Sequence, residues 1–218
     1  MTPRHSKVAT TAKNPMPPTQ WGYNDNIQPF KYDKEKAKQL IKESGVDLSK
    51  TFELWAPPPR SYMSQPQKVA EAIQADLKEI GLNTKIITYE LGTYFNKISK
   101  GEHDMCIMGW IGDNGDPDNF LYVFFSSRNT VKGSASNYAF YKNDEMDKLL
   151  DAAKKEMNHV KRNEMYMKAQ EIFHRDVPWM TLFHTKQLAV FRSNIGGYKL
   201  HPVGAKIFKN IYYETKPE

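Results

Sequence analysis

Apolar residues recur with two different spacings along the first half of the chain, and the alternation of these spacings predicts an α/β fold. Residues 51–56 and 85–89 have the pattern of β-strands, and residues 105–108 form a short apolar run typical of a buried strand. Between them, residues 65–81 and 94–98 carry apolar side chains at helical spacing. This order of elements is that of right-handed crossovers in a parallel or mixed sheet flanked by helices.

A shorter amphipathic helix precedes this unit, after a segment that has no periodic apolar positions. Asp33 is a suitable N-cap and Gly45 a suitable stop for a helix with Leu40 and Ile41 on its apolar face. Residues 1–32 are rich in Pro, Asn and Thr, which predicts an extended, irregular segment lying on a surface.

The second half of the chain begins with two predicted helices, at residues 144–157 and 160–174. Their methionines fall at helical spacing and are interpreted as core residues rather than metal ligands. Apolar, β-prone residues predict strands at 178–183 and 188–191. Residues 196–217 have the composition of an extended tail that needs another surface to lie on.

Residues 109–120 form the most distinctive stretch, a loop of glycines, aspartates and asparagines directly after the last predicted strand of the crossover unit. Glycines allow a ligand to approach the backbone closely, and Trp110 offers an apolar wall. Arg60 and Asp113 both follow predicted strands, and the carboxyl ends of parallel strands lie at one edge of a sheet, where ligands bind. We therefore expect both side chains on one rim, with Asp113 facing a positively charged ligand group.

An acidic loop of this kind can also hold calcium, supply catalytic carboxylates or simply turn the chain. A calcium loop beginning at Asp113 or Asp116 would need glutamate where Phe124 or Ser127 stands, which argues against calcium. A catalytic carboxylate pair is conceivable, although aspartates so close in sequence seldom face each other across a glycosidic bond. Asp116 and Asp118 are better explained as residues that turn the chain and cap a helix near residue 120.

Composition narrows the function classes. The net charge is +6 and the pI about 9.1, but the lysines are interleaved with glutamates instead of forming a stripe, so nucleic acid is not the predicted partner. The single cysteine, Cys106, excludes an internal disulfide and a Cys-based zinc site, and its apolar surroundings predict a buried, inert thiol. The motifs of serine hydrolases, phosphate-binding loops and zinc proteases are absent, and the sequence predicts no cofactor.

Targeting signals are also absent from the sequence. No apolar run approaches the roughly 20 residues that span a bilayer. Residues 1–7 are followed by no apolar stretch, so this chain shows no signal peptide and taken at face value would be cytoplasmic. A missing N-terminus would give the same pattern.

The loop resembles a known family. Gly-Glu-His at 101–103 and Met-Gly-Trp-Ile-Gly-Asp-Asn-Gly-Asp-Pro-Asp-Asn-Phe at 108–120 closely resemble the extracytoplasmic solute-binding proteins of peptide ABC transporters (family 5), in particular the dipeptide-binding type. Residues 21–24, 73–76 and 136–138 resemble their counterparts as well, so the resemblance covers most of the chain. It implies the type II periplasmic-binding-protein fold, with two lobes that close on a short peptide and deliver it to a membrane permease.

The resemblance also implies roles for particular residues. An aspartate in this loop binds the α-ammonium of the ligand and an arginine of the second lobe binds its α-carboxylate, and by motif these are Asp113 and Arg60. Trp110 and the backbone at Gly109 and Gly112 would border the peptide. The expected partners are a dipeptide or short peptide and the permease subunits, with contact to the membrane only through an anchor or the permease.

The chain departs from the family in two respects. Members are considerably longer, and the resemblance implies that residues 1–186 are the second, C-terminal lobe and residues 187–218 a tail returning to a first lobe that this chain lacks. The full-length parent would be periplasmic or a cell-surface lipoprotein. Some relatives bracket the segment after the acidic loop with a cysteine pair, whereas Ser126, Ser127 and Tyr141 stand in this region, which leaves the rigidity of the loop open.

The resemblance leaves the cargo open. A non-enzymatic peptide receptor is the function it implies, and haem or a longer oligopeptide are the alternatives within the same fold. A hydrolase that uses the acidic loop is the alternative from another class.

Overall fold

The computed structural model describes residues 8–214, which contain two groups of elements. The first group has helices and strands in alternation, and the second is helical with short strands at its borders. In chain order the elements are β1 (Ala9–Thr11), α1 (Lys34–Ser44), β2 (Thr51–Ala56), α2 (Pro66–Glu79), β3 (Asn83–Thr88), α3 (Leu91–Ser99), β4 (Met105–Cys106), α4 (Asp118–Phe125), α5 (Asp144–Lys155), α6 (His159–Asp176), β5 (Phe183–Thr185), β6 (Ile195–Gly196) and β7 (Tyr212–Tyr213).

The central sheet has the strand order β3-β2-β4, and both pairings are parallel. Strand β2 therefore lies in the middle, and α2 and α3 are the crossover helices that the sequence pattern predicts. Among residues 8–214, antiparallel strands form two separate ribbons, β1 with β5 and β6 with β7. Strand β4 is shorter than predicted, but the Ile107 N–H continues its ladder to the Trp55 carbonyl at 2.9 Å.

The alternation along β2 places one helix on each face of the sheet. Leu54 and Ala56 pack with the apolar side of α2, whereas Trp55 points to the opposite face and packs with Tyr94 and Ile98 of α3. The Tyr94 hydroxyl donates to the Ile107 carbonyl at 2.7 Å, and burial raises the pKa of this phenol. These contacts fix the position at which the chain leaves β4 and enters the acidic loop.

Helices α4, α5 and α6 form a second core, and Leu121, Phe125, Met146 and Tyr166 are among its fully buried side chains. Asn143 and Asn158 cap α5 and α6 by accepting backbone N–H groups of the first turn. No helix within residues 8–214 combines the length and the apolar character that crossing a membrane requires.

The segment before α1 is irregular except for β1, a strand that its composition does not predict, and it is not confined to the surface. Asn24 is buried and donates to the Met167 carbonyl at 3.2 Å, while its own N–H donates to Gln170 Oε1 at 3.1 Å. Gln170 Nε2 in turn donates to the Gly22 carbonyl at 2.7 Å. Buried amides thus bind this segment to α6, and composition alone does not reveal such long-range pairing.

The segment after the acidic loop, where some relatives carry a cysteine pair, is held by one buried asparagine. Asn137 is fully buried, and its Nδ2 donates to the carbonyls of Ser126 at 3.2 Å and Tyr141 at 2.8 Å. Its Oδ1 accepts the Tyr141 N–H at 3.2 Å. The Tyr141 hydroxyl donates to Asp176 at 2.5 Å, so this segment is also tied to the end of α6.

Two predictions for the last part of the chain are wrong. Residues 178–182 and 188–191 form no strand, and β5 begins at Phe183, where the first predicted strand was expected to end. Apolar β-prone residues form strands only where a neighbouring strand supplies hydrogen bonds, and β5 has such a neighbour in β1. The described part of the tail leaves Val190 and Tyr213 almost entirely exposed. Residues 1–7 and 215–218 lie outside the described residues.

We expect Asn137→Ala to lower the free energy of unfolding by about 1–3 kcal/mol, because two carbonyls and one N–H lose their buried partner. Urea unfolding followed by circular dichroism measures this change. Gln39→Ala is the matched control, since Gln39 bonds Glu43 on the exposed face of α1. Equal midpoints for the two variants would contradict the role of Asn137.

Candidate functional site

Arg60 lies in a tight turn just beyond the carboxyl end of β2. Pro57, Pro58 and Pro59 end the strand, and Arg60 and Met63 then exchange backbone hydrogen bonds of 2.9 and 3.0 Å. The Arg60 side chain is exposed and makes no ion pair within residues 8–214. Its guanidinium carbon lies 6.0 Å from the centroid of the Tyr62 ring.

Tyr62 connects this turn to the acidic loop that follows β4. A Cβ atom on Gly109 would lie 2.5 Å from Cε2 of Tyr62, so only glycine allows the ring and the loop to approach this closely. The Tyr62 carbonyl accepts the Thr185 hydroxyl of β5 at 2.7 Å. The Arg60 turn, the start of the loop and the β1–β5 ribbon are therefore in direct contact.

Within the loop, Asn119 orders the two side chains that the sequence nominates. Its Oδ1 accepts the Trp110 indole N–H at 2.9 Å and the Asp113 backbone N–H at 2.9 Å. Its Nδ2 donates to Oδ2 of Asp113 at 3.4 Å. One amide side chain thus holds Trp110 and Asp113 in a defined relation to each other.

The loop is also packed against α4. A Cβ atom on Gly112 would lie 2.7 Å from Cε2 of Phe120, so this glycine is required by close packing, like Gly109. The Trp110 ring meets Phe124 edge to face with centroids 5.3 Å apart, yet 39% of Trp110 remains exposed. The indole therefore has one face supported by protein and another available to a ligand.

Asp116 has the structural role in the turn that the sequence predicts for it, whereas Asp118 is the first residue of α4 and caps no N–H group among the described residues. Asp116 Oδ1 accepts the Asp118 N–H at 2.9 Å, which begins α4 at Asp118 instead of near Phe120. The Asp116 carboxylate is further paired with Arg162 of α6. Burial raises the pKa of Asp118, whose Oδ1 has no partner among the described residues.

Asp113 differs from Asp116 in its electrostatic surroundings. It is exposed, and no lysine, arginine or histidine within residues 8–214 forms an ion pair with it. Strands β2 and β4 are parallel neighbours, so their carboxyl ends deliver Arg60 and Asp113 to the same edge of the sheet. Within residues 8–214, Arg60 and Asp113 are thus a cation and an anion at this edge that no ion pair neutralises.

Sequence reasoning missed three residues that organise this site, namely Tyr62, Asn119 and Arg162. The local pattern gives no sign of the role of Asn119 or of Tyr62, because both act through contacts that only the fold creates. Cys106 is partly rather than fully buried, and burial raises the pKa of its thiol to about 12, which agrees with the predicted lack of reactivity. A hollow of about 400 Å³ is lined by Phe52, Leu82 and Asp104 at the opposite ends of the strands and belongs to no part of this site.

Comparison with known proteins places the fold and the loop in one family. Residues 6–132 match the family model described as "Bacterial extracellular solute-binding proteins, family 5 Middle". The chain belongs to this solute-binding family. The resemblance of its loop and the α/β lobe of a periplasmic binding protein are thereby confirmed. Family 5 proteins are binding proteins rather than enzymes.

Relatives in family 5 match nearly the whole chain. The dipeptide-binding protein of Escherichia coli is 40% identical over 208 residues, which are 95% of this chain and 38% of that protein. The heme-binding protein A of Haemophilus influenzae is 40% identical over 210 residues, which are 96% of this chain and 38% of that protein. The chain thus spans well under half the length of these family 5 relatives.

A solved structure shows the same fold. The periplasmic binding protein DppA of Helicobacter pylori, in complex with the peptide STSA, superimposes with a TM-score of 0.81 and 37% identity. The match covers 95% of this chain and 40% of that structure. The family 5 assignment therefore rests on sequence and on three-dimensional structure.

We expect Gly109→Ala to destabilise the protein by about 1–3 kcal/mol, because the new methyl group overlaps the Tyr62 ring. In a Tyr62→Ala background the same substitution should cost clearly less, since the overlapping ring is gone. Thermal and urea unfolding of the four proteins in this double-mutant cycle measure the coupling. Gly92→Ala is the control, because its methyl would approach the nearest atom, a Glu90 carboxylate oxygen, only to 3.3 Å. Strictly additive effects at 109 and 62 would contradict the packing argument.

Proposed function

We propose that the protein is the substrate-binding component of a peptide ABC transporter and binds dipeptides or short peptides by their charged termini. Asp113 binds the α-ammonium group and Arg60 the α-carboxylate. The observation that supports this most strongly is the pair of exposed, uncompensated charges that the parallel pairing of β2 and β4 brings to one edge.

The chemistry of both groups suits the termini of a zwitterion. A guanidinium can bind a carboxylate through two parallel hydrogen bonds, and a carboxylate is the natural partner of an ammonium group. A ligand that lacks one terminus would leave a protein charge enclosed without a partner, a loss of roughly 2–5 kcal/mol. The exposed face of Trp110 and the backbone at Gly109 and Gly112 border the peptide, and tolerant, hydrated pockets receive its side chains.

The domain assignment is part of the same proposal. Residues 1–186 form the C-terminal ligand-binding lobe, and residues 187–218 form the tail that returns toward a first lobe. Closure of two lobes around the peptide is the change that permease subunits recognise. The full-length protein is periplasmic or a cell-surface lipoprotein and contacts the membrane only through its anchor or the permease.

Haem is the second candidate cargo, and it is supported by the similarity to a heme-binding protein A. The two uncompensated charges favour a zwitterion, and competition between haem and a dipeptide would separate the two cargoes. A hydrolase that uses the acidic loop would convert its ligand, so recovery of intact peptide from the binding mixture distinguishes a receptor from an enzyme.

We expect Asp113→Asn and Arg60→Ala each to weaken dipeptide binding by roughly 2–5 kcal/mol, measured by calorimetry on the full-length protein. Acetylating the ligand amine should weaken binding to the wild type by as much as Asp113→Asn does. The same acetylation should weaken binding to the Asp113→Asn protein little further. Amidating the ligand carboxylate should behave in the same way with Arg60→Ala.

Glu71→Gln and Lys68→Ala on the exposed side of α2 are the controls, and they should bind like the wild type. Unchanged affinity in both site variants would refute the assigned roles. Full affinity for the acetylated dipeptide would refute recognition of the ammonium group.

A further inference from the structure

The acidic loop is anchored from behind by an ion pair that the proposed ligand contacts do not use. Arg162 of α6 binds the Asp116 carboxylate with both terminal nitrogens, Nη1 to Oδ2 at 2.8 Å and Nη2 to Oδ1 at 3.0 Å. The two side chains are only 22% and 26% exposed. Paired hydrogen bonds in such a sheltered position fix direction as well as distance.

Arg162 is itself held on all sides, which distinguishes it from an ordinary surface pair. Its Nε donates to the Ala153 carbonyl at the end of α5 at 2.9 Å, and Nη2 also donates to the Tyr166 hydroxyl at 2.8 Å. Its guanidinium carbon lies 5.3 Å from the centroid of the Trp21 ring. These contacts hold the Arg162 side chain in one position, whereas long charged side chains on a surface usually remain mobile.

The N-terminal segment adds a second attachment at the neighbouring residue. The Trp21 indole N–H donates to the Gly115 carbonyl at 3.1 Å, and the Gln20 amide donates to the same oxygen. Gly115 and Asp116 are thus bound to two distant parts of the chain, α6 and the segment before α1.

The anchored residue determines where α4 begins and hence where Asn119 stands. The Asp116 side chain accepts the Asp118 N–H at 2.9 Å, and its carbonyl accepts the Asn119 N–H at 3.1 Å. Asn119 in turn holds Asp113 and Trp110 through its side chain. The contacts form one continuous path from Arg162 through Asp116 and Asn119 to Asp113.

We propose that Arg162 is a positioning residue for the ligand site: through Asp116 it sets the start of α4, and so places Asn119 to hold the Asp113 carboxylate before any ligand arrives. This inference rests on the proposed function only for the role of Asp113 as a ligand contact. Preorganisation of the loop means that binding does not have to order it, which favours affinity.

The test compares two arginines of the same helix. Arg162→Met removes the anchor, whereas Arg175→Met removes an arginine that is also paired with carboxylates, Glu145 at 3.0 Å and Asp176 at 2.7 Å. Arg175 lies about 20 Å further along the helix. Amide hydrogen exchange of residues 109–119 without ligand, the NMR signal of the Trp110 indole N–H and calorimetric dipeptide affinity are measured on the full protein.

We expect Arg162→Met to accelerate exchange in the loop, to shift the Trp110 indole signal and to weaken dipeptide binding about tenfold or more. Arg175→Met should change none of these three quantities. Arg162→Lys should restore binding only in part, because an ammonium group cannot form the paired contact. Asp116→Asn keeps the size of the side chain but removes the charge that Arg162 binds, and it should have the same three effects if Arg162→Met folds poorly.

Wild-type exchange in the loop of a folded Arg162→Met protein would overturn the inference, and so would accelerated exchange with unchanged affinity. If the wild type binds no dipeptide, the proposed function fails, and loop exchange and the indole signal still decide whether Arg162 positions Asp113. Equal effects of the Arg162 and Arg175 variants would show a general loss of stability and would also overturn it.

Discussion

The parallel pairing of β2 with neighbours on both sides is the constraint on which the site depends. Because β2 and β4 run in the same direction, the chain leaves both strands at the same edge of the sheet. The Arg60 turn and the acidic loop then meet through Tyr62 and Gly109, whose close approach requires that position 109 lacks a side chain. Opposite charges that are more than fifty residues apart in sequence are thereby placed on one rim.

Asp113 and Asp116 lie in the same loop, but their surroundings differ: one carboxylate is paired with a cation of the protein and the other is not. Asp116 is sheltered and fully engaged by Arg162, so its charge is neutralised within the protein. Asp113 receives only neutral donors from Asn119 and the backbone, and remains open to solvent. The first carboxylate holds the loop in shape, and the second can bind a cation, because a carboxylate already neutralised has little more to offer a ligand.

Local patterns predicted the features that local physics controls. The N-cap at Asp33, the stop at Gly45 and the crossover order follow from residues that act within one turn or one strand. The failed strands at 178–182 and 188–191 needed a pairing partner, which no local pattern reveals. The role of Arg162 was not predicted either, because its partner Asp116 lies 46 residues away in sequence. The sequence holds one indication of it, since arginines are few among many lysines. The ligand roles proposed for Asp113 and Arg60 come from the family resemblance, together with the prediction that both side chains lie at one edge of the sheet.

The buried Asn137 has a consequence for how this region matures. Its three hydrogen bonds join Ser126 and Tyr141 as soon as the chain folds, and they need no oxidant, no exchange of bonds and no isomerase. The sequence has one cysteine, Cys106, whose thiol is partly buried in the sheet. Asn137 therefore holds Ser126 and Tyr141 together without a covalent link between cysteines.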